Sequence, residues 1–270
     1  MIFKRRSALD KYSEKNEIAR RIRYDIIMSI YNAASGHCGG SLSIADVLAV
    51  IYGEVLRHDP SNQNWPNRDR LILSKGHAAP ALYAALAETG YFDREILWTL
   101  RKFGSPLQGH PCKLKGPQGL EMSTGSLGQG LSVAVGLAIG AKILGEKWRT
   151  YCILGDGELN EGSVWEAAMS APHHRLDNLC AIVDNNGLQI DGECKEVMNL
   201  GSLDDKFRAF GWNVIRTDGH DIPAMIEAFE TAAKASGLPT VILLSTVKGK
   251  GVSFMENRVE WHSKPLCCLL

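Results

Sequence analysis

The sequence predicts an α/β chain: a doubly wound, mainly parallel sheet with helices on both faces. Residues 151–192 carry the first observation. An apolar run at 151–154 stops at Gly155-Asp156-Gly157, and a second at 179–183 stops at Asp184-Asn185-Asn186. Between them Val164, Ala167, Ala168 and Ala171 fall at helical spacing. Strand, crossover helix and strand in one sheet lie parallel and connect right-handedly. The second observation is that short apolar runs and helix-like segments go on alternating along the chain, the pattern of a sheet covered on both faces. The third is size. A chain of 270 residues with 45% hydrophobic content can bury one sizeable core, and 1–270 is expected to be a single domain.

Each element has a local reason. Ile18, Ile22, Ile26 and Ile30 recur every four residues among charges, which predicts a long amphipathic helix ending at Ser35-Gly36. Ser43 with Asp46 three residues later reads as a capping box opening a helix to about Leu56. Residues 59–68 are polar with two prolines and read as loop; 70–73 read as a strand; 79–88 and 93–103 read as helices closed by glycine. Residues 104–125 are rich in glycine and proline, and a loop of that length inside a compact domain is usually functional or disordered. A helix is expected over 127–144, then, beyond the central stretch, a helix at 204–210, a strand at 212–216, a helix at 223–235 and a strand at 240–247.

Bulk composition excludes several function classes. The formal net charge is zero and no long basic run occurs, which argues against nucleic acid or an anionic membrane as the partner. Lys4-Arg5-Arg6 and Arg20-Arg21-Ile22-Arg23 read as short solvated faces. The seven cysteines, Cys38, Cys112, Cys152, Cys180, Cys194, Cys267 and Cys268, form no CxxC pair and fit a reducing cytoplasm. The N-terminus lacks a signal-peptide core, and the most apolar stretch, 131–144, is too short and too rich in glycine to span a bilayer. The ending Cys267-Cys268-Leu269-Leu270 has the form of a prenylation box, but no polybasic stretch precedes it.

The strand ends carry the chemistry. Ligands of an open parallel sheet bind beyond the carboxyl ends of its strands. Asp156 and Asn186 would share that crevice and, with a loop carbonyl, offer a partial cage of hard oxygens suited to Mg²⁺. Gly157 would let a phosphate approach backbone. Four histidines sit beside glycine or tryptophan in loop words: His37, His77, His110 and His262. Imidazole titrates near neutrality, so these are candidate proton carriers. Metal ligation by them ranks lower, because no HxH or HxxxH spacing occurs. Asp218-Gly219-His220-Asp221 reads as mainly structural, and His58, His173 and His174 as surface residues.

Six words in order, ASGHCGGSLSIAD, LSKGHAAPALYAAL, GSPLQGHP, TGSLGQGLSVAVG, GDGELNEG and VEWHSKPL, resemble the cofactor-binding N-terminal part of transketolase and cover about residues 32–266. Gly155-Asp156-Gly157 followed by Asn185-Asn186 resembles the thiamine diphosphate and magnesium motif. The resemblance implies reversible transfer of a two-carbon ketol unit from a ketose phosphate to an aldose phosphate. It implies that Asp156, the Asn186 side chain and the Leu188 carbonyl hold Mg²⁺, or Ca²⁺ or Mn²⁺ in its place. Gly157 and Asn186 would meet the diphosphate, and His77 and His262 the diphosphate and thiazolium side. Gly125, Ser126 and Leu127 would line the aminopyrimidine with backbone, and Lys248 would lie near the cofactor. His37, His110 and His262 would meet substrate hydroxyls, and Glu161 would help link two active sites at a subunit interface.

The family's pyrimidine-binding and C-terminal domains have no counterpart in the sequence. The resemblance therefore implies a split enzyme: an N-terminal subunit needing a C-terminal, pyrimidine-domain chain, as a heterotetramer with two copies of each. Other thiamine diphosphate enzymes, such as an oxo-acid dehydrogenase α subunit or a deoxyxylulose phosphate synthase, share the metal motif, and a non-catalytic cofactor-binding subunit is a further alternative. Three departures stand out. Cys38 occupies the usual place of a proline, Ser263 that of a common glycine, and the chain stops soon after His262 where relatives continue.

Overall fold

A computed structural model describes residues 8–264 and Leu266. Five strands, β1 (Arg70–Leu73), β2 (Thr150–Gly155), β3 (Leu179–Asn185), β4 (Asn213–Asp218) and β5 (Thr240–Ser245), form one sheet in the order β1-β2-β3-β5-β4. All four pairings are parallel, as the alternating pattern predicts. The helices are α1 (Ala8–Ala33), α2 (Cys38–Leu42), α3 (Ala45–Val50), α4 (Ala79–Glu88), α5 (Gln129–Ile143), α6 (Gly162–His173), α7 (Cys194–Val197), α8 (Leu203–Ala209) and α9 (Ile222–Lys234).

Because side chains alternate across a strand, successive residues feed two separate cores. Tyr151, Ile153, Cys180, Ile182, Ile242 and Leu244 pack with α1, α3, α4 and α9. Cys152, Leu154, Ala181, Val183, Val241 and Leu243 pack with α5, α6 and α8. The central strands therefore read as unbroken apolar runs, as expected of a sheet buried on both faces. Register places Gly155 beside Asp184 and Asn185 beside Ser245, so the tips of β2, β3 and β5 end level.

Several elements depart from expectation. The proposed capping box at Ser43 and Asp46 does not cap. Ile44 precedes α3, while the Ser43 hydroxyl donates to Asp184 at 2.6 Å and Asp46 accepts from Arg23 and faces His220. Residues 93–103 hold only a 3₁₀ turn, Arg94–Thr99, capped by Asp93. Residues 38–55 form a second apolar stretch, this one of bilayer length, but 83% of it is buried inside the fold. Arg23 is tied to Asp46 rather than solvated. His58 is not a surface residue either: it stacks on Tyr91 and sits 2.9 Å from the Tyr52 carbonyl. His173 and His174 are exposed. Lys4-Arg5-Arg6 and the terminal Cys267-Cys268-Leu269-Leu270 lie outside the described residues.

Candidate functional site

Asp156 stands at the tip of β2 and is largely buried. One carboxylate oxygen accepts from the Gly157 amide at 2.8 Å and the other from the Gly187 amide at 2.5 Å. Two strand tips thus converge on one carboxylate. Burial and the nearby Asp184 push Asp156 up to about 6, against the two amides and the Lys75 charge. Asp156 has no ion pair among the described residues. A carboxylate in that state is stabilised by an added cation.

Asn186 follows β3. Its Nδ2 donates to Asp184 at 3.0 Å, and its Oδ1 accepts from the Leu188 amide at 3.1 Å. The Leu188 carbonyl accepts from Lys248 Nζ at 3.3 Å. The three proposed metal ligands and Lys248 therefore line one cleft of about 230 Å³. Among the described residues no group of three or more His, Cys, Asp or Glu is arranged to hold a metal ion by itself. One carboxylate, an amide oxygen and a carbonyl suit a hard cation better than a soft one, so the donor set fits the magnesium that the motif implies.

Across the cleft His37, His77 and His262 form a triangle, with ring centroids 5.4 Å, 5.5 Å and 5.0 Å apart. His110 lies 6.0 Å from His37 at the outer end. Burial lowers all four. His37 falls to about 4, with Arg101 adding to the effect; His262 falls to about 3, with Lys248 adding. His77 is well below its ordinary value, with Lys75 adding, and His110 is lowered, with Arg101 adding. All four are neutral imidazoles at physiological pH, able to accept or relay a proton. The His37 Nδ1 is buried with no protein partner, leaving that atom for a ligand.

Glycine shapes the floor. A Cβ on Gly157 would sit 2.8 Å from the Gln189 Cβ, so only glycine lets the two strand-tip loops pass. Gly125 has φ +142°, and a Cβ there would meet the His110 ring at 3.2 Å. Gly125 and Leu127 line the cleft, whereas Ser126 is exposed. Glu161 is exposed at the start of α6, outside the cleft lining. Two of the named departures carry no backbone strain. Cys38 is the first residue of α2, a position where proline is also favoured, and Ser263 has φ −135°, which needs no glycine.

Sequence reasoning missed the charges beneath the cleft. Asp184 is wholly buried and accepts from the Ser43 hydroxyl, Lys75 Nζ, Asn186 Nδ2 and the Thr246 hydroxyl. Lys75, also buried, donates in addition to the Gly40 carbonyl at 3.0 Å. Glu158 accepts from Ser74 and from the amides of Gly128 at 2.9 Å and Gly155 at 3.0 Å, which locks the 125–128 wall to the β2 tip. These acids and the lysine lie inside or beside the motif words, yet only their neighbours in space, not in sequence, reveal them. The Asp218–Asp221 word is structural as expected: His220 faces Asp46 at 2.7 Å and accepts from the Val247 amide at 2.9 Å.

Residues 14–268 match the family described as transketolase, thiamine diphosphate binding domain. The chain is 49% identical over 248 residues to a 6-deoxy-6-sulfo-D-fructose transketolase subunit of Clostridium sp. (strain MSTE9), covering 92% of this chain and 90% of that one. It is 43% identical over 254 residues to an apulose-4-phosphate transketolase subunit of Phocaeicola vulgatus, covering 94% and 88%. The transketolase of Campylobacter jejuni superposes with a TM-score of 0.88 at 34% identity, covering 94% of this chain and 40% of that longer one.

Proposed function

The chain belongs to the transketolase family through its thiamine diphosphate-binding domain, and from that premise we propose that 1–270 is the single, diphosphate-side domain of a transketolase assembled from separate chains. Two relatives that it matches nearly end to end are themselves named as transketolase subunits. The observation that carries the reading is the meeting of two strand tips on the Asp156 carboxylate, facing Lys248 and three neutral histidines across one cleft.

In this reading Asp156, Asn186 and the Leu188 carbonyl hold Mg²⁺, with Ca²⁺ or Mn²⁺ as substitutes. Gly157 and Asn186 meet the diphosphate, His77 and His262 lie on the diphosphate and thiazolium side with Lys248 near the cofactor, and Gly125, Ser126 and Leu127 present backbone to the aminopyrimidine. Thiamine diphosphate, when bound, supplies the electron sink for breaking and making a carbon–carbon bond. The chain's own work is to orient the ketose and the aldose, exclude water and move protons at the substrate hydroxyls through His37, His110 and His262. Glu161 would help link two active sites at a subunit interface, a role that its exposure at the start of α6 supports. The remaining half of the pocket would come from a C-terminal, pyrimidine-domain chain, in an assembly of two copies of each. The substrates are sugar phosphates; the relatives' named sugars, one sulfonated and one phosphorylated, support an anionic sugar. Free cysteines at all five described positions support a cytoplasmic site.

The test is calorimetric titration of thiamine diphosphate with Mg²⁺ into the chain and its pyrimidine-domain partner, followed by ketol transfer, for wild type and Asp156→Asn. Cofactor affinity should fall by about a hundredfold or more in the variant. Wild-type activity in the Asp156→Asn variant would end the proposal.

A further inference from the structure

We propose that Arg101 is a positioning residue that straps together the two loops carrying His37 and His110 and so fixes their separation at the outer end of the cleft. Resting on the reading of those histidines as substrate-facing, the assignment adds a residue outside the motif positions.

Four observations carry it. Arg101 has φ +59°, a left-handed backbone that non-glycine residues seldom adopt and that tends to persist where the surroundings over-determine it. Its amide donates to the Leu107 carbonyl at 2.8 Å, closing the 101–107 loop. The guanidinium then bridges two loops. Nη1 donates to the Ser35 hydroxyl at 2.7 Å, two residues before His37, and Nη2 reaches the Gly109 carbonyl at 3.5 Å, one residue before His110. Gly109 is the residue that permits this passage, because a Cβ there would lie 2.8 Å from Arg101 Nε. The far side of the same loop is pinned by Tyr83, whose buried hydroxyl lies 3.0 Å and 3.2 Å from the carbonyls of Gln108 and His110. His110 is therefore held from two sides, by one phenol and one guanidinium.

The charge is the fourth observation. No carboxylate pairs with Arg101 among the described residues. A partly desolvated cation with only a hydroxyl and a carbonyl as partners is expensive to keep, and a neutral donor could serve as a mere staple. Its charge is felt by both imidazoles. The other groups facing His37 are His110, His77, His262 and Lys248, and those facing His110 are Arg101 and His37. Removing a nearby positive charge raises an imidazole's pKa, so the acid limb of kcat/KM should move to higher pH.

The test uses the full chain with its pyrimidine-domain partner, xylulose 5-phosphate as the probe donor, and the variants Arg101→Gln, Arg101→Lys and Ser35→Ala. Arg101→Gln should lower donor kcat/KM by about a hundredfold, the usual effect of displacing a reacting group by roughly an ångström. Thiamine diphosphate affinity should stay within about twofold of wild type, since the strap lies away from the diphosphate end. The histidine signals of His37 and His110, followed by NMR in the full chain, should titrate at higher pH. Arg101→Lys keeps the charge but cannot grip both loops, so its histidines should titrate as in wild type while the rate still falls. Ser35→Ala should lower the rate less and leave the titrations alone. Should Arg101→Gln fail to fold, the other two variants decide, and wild-type rates in both would overturn the strap. The proposal is also overturned if Arg101→Gln keeps wild-type kinetics and titrations, or if cofactor affinity and melting temperature fall together with no change in the histidines. An active Asp156→Asn enzyme with shifted histidines in Arg101→Gln would remove the cofactor assignment and leave the strap standing.

Discussion

Changing Asp184 to asparagine removes the carboxylate that ion-pairs with Lys75 while keeping the side chain's size. Both groups are buried, with side-chain exposures of 0% and 2%. Breaking such a pair by neutralising one partner leaves the other charge stranded, at a cost of about 3–5 kcal/mol. For a domain of this size that corresponds to a drop of about 5–9 °C in melting temperature. The assay is urea unfolding of wild type, Asp184→Asn, Lys75→Met and the double variant. The double variant should recover much of the loss, because no unpaired charge remains. A single-variant cost below about 1 kcal/mol, within the range of exposed pairs, or strict additivity in the double variant, would refute the reasoning. The pH dependence has a definite sign. Burial pushes the Asp184 carboxyl up, but Lys75 and its hydrogen bonds outweigh that and hold it below the ordinary range. A depressed carboxylate stabilises the fold above its unfolded pKa, and the contribution is lost as pH falls through the folded value, in acid below about 4. Asp156 acts in the opposite direction. Burial and then Asp184 raise it to about 6, so without a cation it costs stability as pH rises from about 4 to that value. Asp184→Asn should flatten the acid limb at low pH and also ease the Asp156 limb.

Two further outcomes follow from the packing. Gly157→Ala places a methyl 2.8 Å from the Gln189 Cβ, so calorimetry should show thiamine diphosphate affinity reduced, and urea unfolding a loss of about 1–3 kcal/mol. Cys38 and Cys180 are buried thiols raised to about 12, and Cys152 lies well above its ordinary value for the same reason. Brief alkylation at pH 8 followed by peptide mass spectrometry should leave these three unmodified in the native chain and modify them after denaturation.

Most of the fold was legible because burial on both faces of a parallel sheet writes short unbroken apolar runs, and α1 writes isoleucine every four residues. The histidines were legible for a different reason: histidine beside glycine, or in one case tryptophan, is a loop word, and His37 meets each of the other three. Buried charge was not legible. Lys75 and Asp184 lie 109 positions apart, and a charged residue is by default expected outside. The same blindness produced the false capping box. Ser43 and Asp46 have the right spacing, but each bonds a residue far along the chain, Asp184 and His220, that outcompetes local capping. His58 failed likewise, because its stacking partner Tyr91 arrives from beyond α4. Local pattern carries the elements; pairings across the sheet decide which polar residues are core.

Under the proposed function, those pairings would favour a cation and an anion together over either alone. Lys75 is neutralised by Asp184, which leaves Asp156 without an ion pair on one side and Lys248 on the other. Lys248 is lowered to about 8, by burial first and by Lys75 next, and it rests on the Leu188 carbonyl. In that reading a metal arriving alone would gain Asp156 but compete with Lys248 for that carbonyl, and a diphosphate arriving alone would gain Lys248 but face the Asp156 carboxylate. With both bound, the metal would offset Asp156 and the diphosphate would offset Lys248. Each ligand would therefore raise the affinity of the other by the same factor, as linkage requires. The buried Lys75–Asp184 pair is what makes that coupling specific: with Lys75 unpaired, the floor would hold an anion without metal, and with Asp184 unpaired it would hold metal without an anion.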